Sequence, residues 1–355
     1  MKNKLLDDYK RLFESVTELL ATAIDEMSPH TGGHCRRVPD ISMMLAEAVC
    51  NKREGAFKDV MMTEEELYEL KVAALLHDCG KVTTPVHIVD KTTKLQTIFD
   101  RMHIIEARFE ILRRDAEIAM LQRELALRGG NGEEVISALR AETESLLEEL
   151  AGDRDFLRSC NIGGESMEQA HLDRLKAVAQ KYRVLNTRGE METILSEEEL
   201  GMLSIRYGNL TPEERRVINQ HVETGERLLR TIQFPRYLEN VPVFAAVHHE
   251  RLNGKGYPRG LAAQEIPLQG RIIALADIFE ALTATDRPYR ERKPLMEALC
   301  ILASMKENGQ IDPDLFDVFV SDNIYLRYAR KYMCPEQIDE VDFSKITEYS
   351  PSLPK

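Results

Sequence analysis

"HHERLNGKGYP", residues 248–258, sets two histidines and a glutamate side by side and follows them with Gly254, Gly256 and Pro258 around a tyrosine. The chain has nine histidines in all, so pairing His248 with His249 needs a reason. Adjacent side chains cannot share one face of a helix or of a strand. Two neighbouring imidazoles reach the same ligand only from a bent backbone, and the stiff segment after them suits such a bend. A fold built around this stretch has to bring further ligands to it from elsewhere in the chain.

Residues of matching chemistry are His34, the pair His77-Asp78, His221 and Asp277. Each alone has an ordinary reading: a lone helical histidine such as His221 is commonly a satisfied core or surface residue. Asp277 lies in the apolar run "ALADIFEALT" (274–283), where an unpaired carboxylate is costly, so it calls for a cation or an arginine. Together, five imidazoles and two carboxylates suit a first-row cation such as iron or manganese. They are too many for one ion, and Asp78 is the natural bridge between two. Two ions ~3.5–4 Å apart can turn a bridging water into hydroxide and clamp both oxygens of an in-line displacement at phosphorus. Lys81, one turn past Asp78, and Arg287 and Arg290 in "TDRPYR" (285–290) add positive charge for an anionic substrate.

Bulk composition narrows the class. A chain of 355 residues holds two domains or one with a large insertion. Its 43% hydrophobic and 30% charged content is that of a soluble globular protein, and the lack of Trp beside abundant Leu, Glu and Arg leans all-helical. A net charge of −13 argues against a nucleic-acid polymer as partner, though not against a small anion in a local basic pocket. The cysteines at 35, 50, 79, 160, 300 and 334 show no C-x-x-C spacing and read as reduced thiols of the cytoplasm. "MKNKLLDDYKRLF" is too charged for a signal peptide, and no stretch approaches the ~18 apolar residues of a membrane span. An upstream sensor in a longer protein stays open.

Hydrophobic spacing sets out the helices. Leu5, Leu12, Val16, Leu19, Leu20 and Ala23 mark an amphipathic helix over 4–27, which packs on a partner chain or on its own core. A second helix covers 34–50. Thr63 with Glu66 is a capping box for a third, with Gly80 as its C-terminal cap. From about 95 the steps of Ile98, Met102, Ile105, Phe109, Leu112, Ala116 and Ala119 are those of a coiled coil. "GGNG" (129–132) breaks that stripe, Ile136, Leu139, Leu146 and Leu150 carry a return, and a further helix spans 165–185. His103 and His171 on this arm read as solvated. The core resumes at "GNLTPEERRVINQH" (208–221), where Thr211, Pro212 and Glu214 start a helix. Helices follow at 240–248, 270–284, 294–307 and 312–332, and no strand pattern is convincing. The expected class is all-α.

In order and spacing, "HTGGHCRRV" (30–38), "HDCGK" (77–81), "NQHVETGERLL" (219–229), "HHERLNGKGYPRGL" (248–261) and "ADIFEALTATDRPYR" (276–290) resemble the HD-GYP family of HD-type metal-dependent phosphohydrolases. The resemblance covers about 28–94 and 205–320. It implies an HD-type helical bundle with two or three divalent ions, iron or manganese, that hydrolyses cyclic di-GMP to pGpG, with GMP as a further product. By position, His34, His77, Asp78 and Asp277 match the first metal site, and Asp78, His221, His248 and His249 the second. Lys81 and Asp78 match catalytic positions. Tyr257 and Arg287, with Gly256 and Arg290 beside them, match substrate-binding ones.

Two departures stand out. His30 occupies the place where three-metal members carry glutamate, so two ions are favoured and His30 is the candidate extra ligand. More than a hundred residues also interrupt the pattern. The expected division is an N-terminal helix 1–27, a core of 28–94 and 205–335, an inserted coiled-coil-like hairpin 95–204 and a tail 336–355. A homodimer through the N-terminal helix, the arm or both is expected. The alternatives are a phosphodiesterase for 3′,3′-cyclic GMP-AMP and a non-catalytic cyclic-dinucleotide sensor.

Overall fold

The computed structural model describes residues 2–27, 33–127, 133–163, 167–284 and 293–346. The chain divides into two compact units, residues 1–86 with 216–355, and residues 87–215. The first opens with α1 (Lys2–Glu26), α2 (His34–Cys50) and α3 (Glu64–Leu76), and a short α4 (Val86–Val89) carries the chain out of it. The second holds α5 (Met102–Leu127), α6 (Glu133–Asn161), α7 (Gln169–Lys181), a hairpin of β1 (Arg183–Leu185) and β2 (Met191–Thr193), and α8 (Glu197–Leu203). Through α9 (Pro212–Asn219) the first unit resumes, with α10 (His221–Leu229), α11 (Val241–Ala245), α12 (Leu268–Thr283), α13 (Leu295–Glu307), α14 (Pro313–Ser321), α15 (Ile324–Tyr332) and α16 (Phe343–Ile346). The architecture is all-α.

In the first unit α12 is the axis. Ile272, Ile273, Leu275, Ala276 and Phe279 are all buried, and a helix that is apolar on most sides belongs in a core. It packs beside α2, whose Val38, Ile41 and Leu45 join the same cluster as Leu70 and Leu76 of α3. The capping box at α3 forms: the Thr63 hydroxyl accepts from the Glu66 N–H at 3.2 Å, and the Glu66 carboxylate accepts from the Thr63 N–H at 2.7 Å. On α1, Thr17, Ala21 and Ile24 are buried, with Ala21 and Ile24 beside Cys35, Leu75 and Cys79. Tyr9, Leu12, Val16 and Leu19 are exposed on a separate face, so α1 has one face on its own core and a second apolar face outside it.

Three local expectations need correction. The helix foreseen over 312–332 is two, α14 and α15, because Asn323 takes φ 54°, a left-handed conformation that asparagine tolerates better than most residues. Strands were not foreseen, yet β1 and β2 pair antiparallel; the Asn186 side chain accepts from the N–H groups of Arg188 and Glu190, both at 2.9 Å, and closes their turn. Gly80 is not a helix cap: α3 ends at Leu76 and Gly80 lies in a 3-10 turn, Cys79–Thr83.

In the second unit α5 and α6 pair as a hairpin whose apolar stripe is buried only at its base. Met102, Ile105, Phe109 and Leu150 are buried, whereas Ile118, Leu121, Leu125 and Leu146 are exposed, and Ile98, before α5 starts, is 89% exposed. The "GGNG" turn lies outside the described residues. His103 and His171 are both exposed, His171 stacking on Phe156. The unit's core gathers Leu157, Leu175, Ile194 and Leu203 from α6, α7, the segment after β2 and α8.

The two chain ends of this unit are clasped to each other. The Lys91 ammonium, fully buried, donates to both carboxylate oxygens of Glu214 at 2.8 and 2.7 Å. The Asn209 amide donates to the carbonyls of Lys91 and Thr92 at 3.3 and 2.7 Å. Glu214 also completes the foreseen capping box with Thr211. Removing one partner of a buried pair leaves an uncompensated charge, at a cost of roughly 3–5 kcal/mol. Glu214→Gln should therefore lower stability in urea by about 3 kcal/mol, and Lys91→Met in that background should recover at least half the loss. Lack of any recovery would show the pair to be uncoupled.

Candidate metal centre

The site is made where helix ends of the first unit meet. His34 and His221 are the first residues of α2 and α10; His77 and His248 follow the last turns of α3 and α11. Asp277 comes from the buried α12. The approach of the Asp78 segment to α10 depends on glycine: a Cβ on Gly80 would stand 1.8 Å from the His221 carbonyl oxygen and 2.6 Å from the Gly225 nitrogen. Only a residue without a side chain lets these backbones touch, and that contact brings His221 to Asp78.

Most of the rings are aimed in the same way. Nδ1 of His77 bonds the carbonyl of Ala74 at 2.7 Å, that of His221 the carbonyl of Ile218 at 2.6 Å, and that of His248 the carbonyl of Ala245 at 2.6 Å. A carbonyl only accepts, so each Nδ1 carries a proton and each ring turns its Nε2 inward. His34 is held at Nδ1 by the Glu280 carboxylate instead; burial opposes charge on this ring, but Glu280 with Asp277 and Asp78 outweighs it and raises the His34 pKa well above the usual imidazole value. Its Nε2 then lies 3.3 Å from that of His77. Two lone pairs at that distance repel unless a proton or a metal ion stands between them.

Asp78 occupies the middle. Its Oδ2 is 3.3 Å from His34 Nε2 and 3.4 Å from His77 Nε2, while its Oδ1 is 3.3 Å from His221 Nε2 and 4.0 Å from His248 Nε2. One carboxylate thus addresses two groups of imidazoles. Asp277 lies 3.3 Å from His34 and 3.8 Å from His77. Asp78 Oδ1, His221 Nε2 and His248 Nε2 are buried and hydrogen-bonded to nothing among the described residues. Orphaned buried acceptors are costly, and their inward aim fits divalent cations. Donor atoms of His34, His77 and Asp78 lie within 4.8 Å of one another, and so do those of His221, His248 and His249; His77, His248 and Asp277 form a third such group.

Electrostatics favour neutral His248 and His249 and ionised Asp78 and Asp277. Burial, aided by His221, pushes His249 down to about 4, and burial with the neighbouring rings His249 and His77 lowers His248, so both are neutral near pH 7. Burial opposes charge on Asp78 and Asp277, yet the Lys81 ammonium beside Asp78 and the His34 ring beside Asp277 outweigh it and keep both ionised.

Lys81 Nζ sits 2.5 Å from Asp78 Oδ2. The Tyr257 ring lies 4.7 Å from that of His249. Gly256 is pressed against the backbone of Glu250 and Arg251, where a Cβ would meet atoms at 2.3–2.6 Å. Arg287, Arg290 and His30 lie outside the described residues.

Three acidic residues that the sequence reading passed over support this centre. Glu280, fully buried, holds His34 and also accepts from Arg37 Nε at 2.6 Å. Asp25 of α1 accepts from the N–H groups of Gly33 and Cys35, both at 3.1 Å, and so caps the helix that starts with His34. Glu250 accepts from the N–H groups of Arg259 at 2.7 Å and Leu261 at 2.9 Å, closing the loop that carries Tyr257. The rule applied to Asp277, that a carboxylate in an apolar helix needs a partner, applied equally to Glu280 three residues later.

Comparison with known proteins points to the same domain family. HD-domain family models match residues 31–183 and 197–315. A cyclic di-GMP phosphodiesterase of Thermotoga maritima is 40% identical over 33% of this chain and 31% of its own length. The cyclic di-GMP phosphodiesterase response regulator RpfG of Xanthomonas campestris is 32% identical over 56% of this chain and 58% of its own. The 3′3′-cGAMP-specific phosphodiesterase 1 of Vibrio cholerae is 42% identical over 32% and 25%. The chain therefore spans less than two thirds of the length of each of these relatives.

The backbone contact at Gly80 gives a direct check on how the centre is assembled. Gly80→Ala should push α10 away and cost roughly 1–3 kcal/mol of stability. Metal analysis of the purified variant should show lower content than the parent while circular dichroism keeps its helical signal. Unchanged metal content would mean that the contact does not position His221.

Proposed function

Because the chain belongs to the HD-GYP branch of the HD-domain family, we propose that it is a metal-dependent phosphodiesterase that opens cyclic di-GMP to linear pGpG. The observation that carries this reading is the two-sided Asp78 carboxylate between separate imidazole groups. His34, His77, Asp78 and Asp277 would hold one divalent ion, and Asp78, His221, His248 and His249 a second. Such a set of imidazoles and carboxylates suits iron or manganese. When bound, the ions would supply the Lewis acidity that ionises a water and offsets charge on the phosphoryl oxygens.

The chain's own groups do the remaining work. Lys81 keeps its proton, because Asp78 outweighs the burial that opposes it, and so offers an ammonium to a phosphate oxygen. Tyr257 presents its ring to the dinucleotide beside His249, held by the backbone fold at Gly256 and by the Glu250 clamp. Arg287 and Arg290 would pair with the second phosphate. A 3′,3′-cyclic GMP-AMP substrate is the second reading, favoured by the 42% identity to the Vibrio cholerae cGAMP enzyme. The six cysteines are free thiols, as in a reducing compartment, and we place the enzyme in the cytoplasm. No helix among the described residues is long and apolar enough to cross a membrane.

The anaerobically purified protein, loaded with Mn²⁺ or Fe²⁺, should bind two ions per chain and linearise cyclic di-GMP faster than cyclic GMP-AMP. Asp78→Ala should lose metal and activity together while staying helical. Arg287→Ala should keep its metal and raise KM by roughly 10–100-fold, the loss of one charge-assisted contact of about 1.5–3 kcal/mol. A parent protein that binds cyclic di-GMP without hydrolysing it would instead be a sensor.

A homodimer fits the exposed apolar face of α1, where Tyr9, Leu12, Val16 and Leu19 recur at steps of three and four. Replacing Leu12 and Leu19 by Glu should turn a dimer into a monomer on a sizing column with light scattering. A parent chain that already runs as a monomer would remove the proposal.

A further inference from the structure

We propose that Glu280, its other oxygen held by Arg37, sets the tautomer in which His34 binds a metal ion, and that Arg37 makes a carboxylate necessary at that position. The proposal rests on the reading of His34 as a ligand. His77, His221 and His248 fix their rings against main-chain carbonyls, whereas His34 relies on a side chain, Glu280 Oε2. The other oxygen, Oε1, takes the Arg37 Nε–H at 2.6 Å. Arg37 lies one turn past His34 on α2, and Glu280 one turn past Asp277 on α12. Each ligand therefore has a supporting residue one turn along its own helix, and the two supports meet. The Glu280 carboxylate is fully buried and has only acceptor atoms. It obliges Nδ1 of His34 to carry a proton and leaves Nε2 to face Asp78, Asp277 and His77, each at 3.3 Å.

Arg37 matters because a guanidinium only donates. In a Glu280→Gln protein it would capture the amide oxygen and turn the NH₂ group toward His34. Nδ1 would then have to accept, and the ring proton would move to Nε2, the atom that should bind metal. A change that keeps size and shape would thus disable the ligand. Removing the guanidinium as well, by Arg37→Met, would free the amide to turn over and offer its oxygen to Nδ1 again.

Mn²⁺ titration of the full chain tests this. Glu280→Gln should bind the ion at the His34 side roughly 10–100-fold more weakly, the usual effect of losing a residue that orients a metal-bound histidine. The pair Arg37→Met with Glu280→Gln should regain most of that affinity, and Arg37→Met alone should keep it. Equal Mn²⁺ affinity in Glu280→Gln and the parent overturns the proposal, and so does a folded double variant no better than the single one. A parent that binds no Mn²⁺ would overturn the metal reading itself.

Discussion

Everything in the first unit answers to one buried carboxylate. Asp78 is 2% exposed, and ionised carboxylates tolerate such burial only with close compensation. Lys81 supplies one positive charge, but it reaches only Oδ2, and Oδ1 is left facing the rings of His221 and His248. Asp277 and Glu280 add further buried negative charge, against which the fold sets Arg37. Lys81, Arg37 and a protonated His34 offset the three carboxylates, so a divalent ion at His34 would have to displace the proton on its Nε2. Metal binding and folding are then parts of one equilibrium.

The helices around it serve aim as much as packing. Three rings are oriented by the carbonyl three residues earlier, a device that costs no extra side chain and tolerates change in every residue but the histidine. His34 lies at the start of its helix and is oriented by Glu280 instead. Its helix is capped by Asp25 from α1 rather than by its own N-cap residue, Gly33, which has no side chain. The ring's position therefore depends on α1 and α12 together, more than any other candidate ligand depends on elements outside its own.

What could be read beforehand follows from this arrangement. Imidazoles and carboxylates in an apolar chain announce themselves because few bland explanations exist for them, and the motifs around 77–81 and 248–261 are long and ordered. The residues that aim them do not announce themselves. Asp25 and Glu250 look like any surface acid until the main-chain N–H groups they hold are seen, and those bonds are tertiary. Gly80 reads as a helix end because that is the usual local role of glycine; the real demand on it comes from α10, more than a hundred residues away in sequence. In the hairpin of α5 and α6 the apolar spacing is regular and the burial is not, because spacing cannot say how far along the stripe a partner extends. The break at Asn323 was equally hidden, since the apolar pattern runs through it.

The clasp between Lys91, Thr92, Asn209 and Glu214 bears on how an HD-type core accommodates so long an interruption. A flexible segment of that length would cost about 2 kcal/mol more in chain entropy to close than a turn of about ten residues. That is a sizeable share of a domain's stability. Held by their own buried ion pair and amide, the two ends of the interruption emerge already side by side. To the core it then behaves thermodynamically as a short turn, whatever its length. A longer or shorter hairpin on the same clasp would add no closure cost to the segments that carry the ligands.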